Sequence, residues 1–96
     1  MFDRLYDETE TAKVDFFGYA SEYARYDFAV VFSDNFFGKP LVVCMQTGRS
    51  SLLCADDAAH TDQLRKLFAI KTEEEAKELS AILQQRLPEI GSKEQY

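Results

Sequence analysis

Residues 25–33, Arg25-Tyr26-Asp27-Phe28-Ala29-Val30-Val31-Phe32-Ser33, decide what kind of protein this chain makes. Side chains alternate across a strand with a period of two. Tyr26, Phe28, Val30 and Phe32 therefore share one face, while Asp27, Ala29 and Val31 take the other. β-Branched and aromatic residues suit a pleated, half-buried surface. This is the clearest strand in the sequence, and its second face is only partly polar.

Toward the N-terminus, a polar turn near Ser21-Glu22 separates it from a second strand over residues 13–20 (KVDFFGYA). Residues 1–12 are acidic, with Phe2, Leu5 and Tyr6 as apolar anchors. They read as a short arm that docks by those three side chains. Toward the C-terminus, Asp34-Asn35-Phe36-Phe37-Gly38-Lys39-Pro40 has loop chemistry. Residues 41–46 (LVVCMQ) and 51–55 (SLLCA) read as two further strands joined across Thr47-Gly48-Arg49-Ser50. Four strands with short links predict an antiparallel meander.

Two registers are open for the last hairpin. A three-residue loop, Gly48-Arg49-Ser50, sets Cys44 opposite Cys54. A two-residue loop, Gly48-Arg49, sets Cys44 opposite Leu53 and points the thiols to different faces. In both, the thiols lie among Val43, Met45, Leu52 and Leu53, so buried, reduced, structural cysteines are expected.

The period changes after Asp56. Leu64, Leu67 and Phe68 fit one helical face, with Thr61 or Asp57 as N-cap. Thr72 and Glu75 form a capping-box pattern, and Glu73-Glu74-Glu75 place acids at the positive end of a helix dipole. Ala76, Leu79, Ile82, Leu83 and Leu87 then recur at helical spacing, and Pro88 stops the helix. The fold class is therefore α+β: an antiparallel meander of about four strands, then two C-terminal helices packed on one face. Residues 1–90 form a single domain and 91–96 a frayed tail. Leu41, Val43 and Met45 are apolar on one side of their strand, and Val42 and Cys44 on the other. A one-sided antiparallel sheet normally alternates cleanly. The second face therefore meets either more of the same chain or another subunit.

The chain has 96 residues and a net charge of −6. Residues 1–48 carry four bases and eight acids, and residues 49–96 seven bases and nine acids. Neither half is basic, which argues against nucleic acid and anionic membrane surfaces as partners. No apolar run approaches the roughly 20 residues of a bilayer span, and the first residues lack a signal-peptide layout. A cytoplasmic protein with reduced thiols is expected.

Chemical motifs are sparse. Phe37-Gly38-Lys39-Pro40 lacks the second glycine, the Ser/Thr and the helix of a phosphate loop, so it reads as a loop entering a strand. Thr47-Gly48-Arg49-Ser50-Ser51 offers a guanidinium, hydroxyls and backbone N–H groups to an anion, but the same residues build ordinary hairpin turns. His60 has no nucleophile marked by spacing, and Cys44, Cys54 and His60 lack zinc-site spacing, so neither catalytic residues, a cofactor nor a metal is expected. Phe36 and Phe37 are adjacent rings at a loop tip. Either the loop folds them onto the core, or one ring serves a partner.

Read as a whole, RYDFAVVFSDNFFGKPLVVCMQTGRSSLL (residues 25–53) resembles a small family of cytosolic proteins from Firmicutes, a domain of unknown function. The resemblance runs from Phe2 to about Leu87. It implies a soluble bacterial protein and brings no activity or ligand with it. The sequence thus leads to a small non-catalytic binding or interaction module that forms a homodimer, with an unknown protein partner as a further option. The alternative is a small-ligand or anion-binding protein, or an enzyme, using the polar hairpin tip around Gln46–Ser51. The candidate contact residues are Phe36, Phe37, Lys39, Gln46, Thr47, Arg49 and Ser50. A concave site where Lys39 and Arg49 converge would favour the alternative.

Overall fold

The alternating pattern of residues 25–33 becomes the centre of a four-stranded antiparallel sheet. The structure, a computed structural model, describes residues 3–22, 24–33 and 38–89. Strands β1 (Lys13–Ala20), β2 (Arg25–Phe32), β3 (Leu41–Cys44) and β4 (Ser50–Leu52) lie side by side in sequence order, each antiparallel to the next. Three helices follow: α1 (Ala55–Ala58), α2 (Thr61–Phe68) and α3 (Glu73–Arg86). The meander and the α+β class are as the sequence predicts. The helical half contains one extra element, the single turn α1.

The helices cover the face that carries Tyr26, Phe28 and Val30 of β2 and Val42 and Cys44 of β3, all buried. Their apolar stripe is Leu64 and Phe68 of α2 with Ala76, Leu79 and Leu83 of α3. Phe28 and Phe68 meet edge to face at 5.3 Å, and Phe17 stacks on Phe28 at 5.4 Å. Burying each such ring is worth about 1.5–3 kcal/mol. Arg86 lies 4.5 Å over the Phe17 ring and covers the open side of that stack.

Caps define the helices. Thr72 accepts from the Glu75 N–H, as the capping-box pattern predicts. Neither Thr61 nor Asp57 is the N-cap of α2; that position is His60. Asp57 instead belongs to α1, where its carboxylate accepts from the N–H of the N-cap Cys54 at 3.0 Å. Ala69 closes α2 in the left-handed region, at φ 56°, without being glycine.

The last hairpin takes neither expected register. Leu41 pairs with Leu52, Val42 with Ser51 and Val43 with Ser50. Cys44 therefore stands against Arg49, whose carbonyl accepts the Cys44 N–H at 2.8 Å. The loop is Met45-Gln46-Thr47-Gly48, closed by the Gly48 N–H on the Cys44 carbonyl at 2.8 Å. Gly48, at φ 74°, comes last in the loop rather than first, so β3 ends at Cys44 and β4 begins at Ser50, each earlier than the sequence suggests. Cys54 lies beyond β4. Both cysteines are free and buried.

In the acidic arm, the two described apolar anchors, Leu5 and Tyr6, are exposed. Residues 3–11 are exposed, with Leu5 88% and Tyr6 79% accessible. Phe2, the Phe36-Phe37 pair and the tail from Gly91 lie outside the described residues.

Candidate functional site

Three polar side chains of the exposed hairpin tip, Gln46, Thr47 and Arg49, bond within the chain. Gln46 extends the sheet with its side chain: its amide oxygen accepts the Asp27 N–H at 2.8 Å, and its Nε2 donates to Asp27 Oδ2 at 2.7 Å. The chain turns away at Met45, and the Gln46 amide supplies the ladder bond that a continuing strand would have made. Arg25 Nε binds the same carboxylate at 3.1 Å. Hydrogen bonding from Gln46 and the Arg25 charge hold the Asp27 carboxyl below its ordinary range. Thr47 Oγ1 accepts the Arg49 N–H at 3.2 Å. Arg49 Nη1 donates to the Lys66 carbonyl at 3.0 Å, satisfying one of the open carbonyls in the last turn of α2. Ser50 is exposed on β4 opposite Val43.

Lys39 stands at the other end of the hairpin, before β3, and pairs with Asp57 at 3.0 Å. It therefore does not converge with Arg49. Burial raises the Asp57 carboxyl, but the Cys54 N–H, the Lys39 ammonium and the Cys54 thiol together bring it below its ordinary value. Among the described residues, no group of three or more His, Cys, Asp or Glu is placed to hold a metal ion, and no helix is long and apolar enough to cross a membrane.

The outer face of the sheet, away from the helices, is different. The pairing aligns two apolar rows across it. One is Val14, Val31, Leu41 and Leu52; the other is Phe16, Ala29, Val43 and then Ser50. Phe16 is 70% exposed and Val14 40%, while Ala29 between Phe16 and Val43 is only 7% exposed. The face therefore presents a protruding ring beside a recessed small residue. Met45, 54% exposed, extends the patch at the hairpin tip. Asp27, lying over Gly18 with its Arg25 and Gln46 partners, closes one end with polar groups.

This sheet and most of the helical layer lie inside a single family match: the SAV0927-like profile aligns with residues 5–85. The chain belongs to the SAV0927-like family. That span takes in Leu5, Tyr6, both apolar rows, the hairpin tip and α3 to within one residue of its end. The family description names no activity, ligand or partner. No curated protein matches the chain.

Two features of this SAV0927-like chain escape a reading of the sequence. One is Phe16, whose strand alternates with Asp15 and Phe17 and so gives no sign of which ring faces water. The other is a buried carboxylate. Glu75 is only 4% exposed, although it sits in an acidic run that resembles a solvated helix start. Its oxygens are met by the Tyr26 hydroxyl at 3.3 Å, the Thr72 hydroxyl at 3.2 Å and the Ser21 hydroxyl. Burial, opposed by the Lys71 N–H and reinforced by the Glu75 charge, holds the Tyr26 phenol above its ordinary value, so it remains a proton donor. Among the described residues, no buried side-chain nitrogen or oxygen lacks a partner. The cluster pins the β1–β2 turn and β2 to the start of α3, and it is closed to solvent ligands.

Proposed function

We propose that this protein is a non-catalytic interaction module that works as a homodimer, its outer sheet faces stacked on each other, in the cytosol of a Firmicutes bacterium. The observation that carries this reading is the pair of apolar rows on the face opposite the helices, with Phe16 70% exposed. A twofold interface must be self-complementary. Here the ring of Phe16 and the recess at Ala29 are cross-strand neighbours on the same patch, so one copy carries both the knob and the hole. Two stacked sheets would lie about 10 Å apart, the ordinary spacing of a β-sandwich core.

Phe16→Asp tests it. Sedimentation equilibrium at micromolar concentration should show a dimer for the native chain and a monomer for the variant. Far-UV circular dichroism should be the same for both, because Phe16 is mostly exposed within one chain. A native mass of one chain across that range would refute the proposal.

A further inference from the structure

The outer face alone is smaller than a standard stable interface, and the arm before β1 carries two exposed apolar side chains, Leu5 and Tyr6. Four strands about 4.8 Å apart and two side-chain rows deep span roughly 19 by 14 Å, or about 270 Å^2. A standard stable interface takes about 800 Å^2 from each partner. The arm before β1 offers part of the missing surface. Leu5 and Tyr6 are 88% and 79% exposed, and a tyrosine alone buries about 150–250 Å^2.

The arm also starts in the right place. Lys13, paired with Phe32, is the last rung of the β1–β2 ladder, so the arm leaves the sheet beside the row that begins with Val14. Glu10 accepts from the Ser33 hydroxyl at 2.5 Å, which fixes its base at that end of the sheet. From Glu10 back to Tyr6 and Leu5, four to five extended residues reach roughly 13–18 Å. The gap between stacked sheets is about 10 Å. The reach is therefore sufficient to cross to the second copy.

Resting on the stacked dimer proposed above, we propose that the arms are exchanged: each protomer's arm crosses the gap and buries Leu5 and Tyr6 against the partner copy. The partner thereby completes an interface that neither sheet face closes by itself. The docking by Leu5 and Tyr6 that the sequence predicts is then made across the assembly.

The test uses full-length protein. The double variant Leu5→Ser/Tyr6→Ser should raise the dimer dissociation constant at least tenfold in sedimentation equilibrium, with an unchanged circular dichroism spectrum. A photo-crosslinking phenylalanine analogue in place of Tyr6 should give a covalent two-chain product on irradiation. An unchanged dissociation constant, or crosslinks confined to one chain, in a protein that does dimerise would overturn arm exchange and leave the stacked dimer standing. A native protein that is monomeric would sink both.

Discussion

Replacing Tyr26 by Phe removes a single oxygen from the middle of the Glu75 cluster. That oxygen donates to Glu75 Oε1 at 3.3 Å and accepts the Lys71 N–H at 3.3 Å. The ring itself keeps its place: it packs 5.6 Å from Tyr19 in a site where Tyr26 is 5% exposed. The loss is therefore of hydrogen bonding alone. A bond to a charged group contributes about 1.5–3 kcal/mol, and an ordinary one about 0.5–1.5 kcal/mol. Glu75 keeps its Thr72 and Ser21 partners, and water can reach the exposed Lys71, so the lower ends apply. The expected destabilisation is about 2 kcal/mol, or roughly 8–16 °C in melting temperature for a domain of this size. Urea denaturation followed by circular dichroism measures it, at fixed protein concentration because dimerisation would couple to unfolding. The Tyr19→Phe control removes only a 3.4 Å contact to the Glu75 carbonyl and should cost clearly less. A Tyr26→Phe loss below about 0.5 kcal/mol would refute the claim that this hydroxyl satisfies the buried carboxylate.

Asp57 has a folded pKa below its ordinary value of 3.8, so its contribution is present above about pH 4 and is lost as pH falls through the folded pKa. Asp57→Asn should therefore be less stable than the native chain at pH 7, by at most about 1 kcal/mol because the Lys39 pair is partly exposed, with a smaller difference at pH 2.5. Urea melts at the two pH values check this; a difference that is undiminished in acid would contradict it. Gly48→Val should cost about 2 kcal/mol, since a β-branched residue is strained at φ 74°, although a Cβ there meets no atom within 4 Å. Arg49→Ala should cost less than 1 kcal/mol or so, having only one exposed bond to the Lys66 carbonyl to lose. Equal melting temperatures for these two variants would argue against a strained loop end.

The sequence by itself determined the elements and their chain order. The alternation in residues 25–33, the capping box at Thr72 and Glu75, and the stripe from Ala76 to Leu83 are local signals, complete within a few residues. They also revealed that β3 is apolar on both sides. Only the tertiary structure decided which side the helices take, because that depends on pairs such as Phe28 with Phe68, forty positions apart and fixed by no local period. The hairpin register was equally out of reach. It rests on the Gln46 amide replacing a ladder bond to Asp27, a contact across two strands that makes the turn begin early and puts Gly48 at its end. Glu75 looked like a surface acid for the same reason. Its burial is supplied by Tyr26 and Ser21, which the sheet carries to it from about fifty residues away. Periodicity states which side chains share a face; what that face meets is settled by the packing of distant elements.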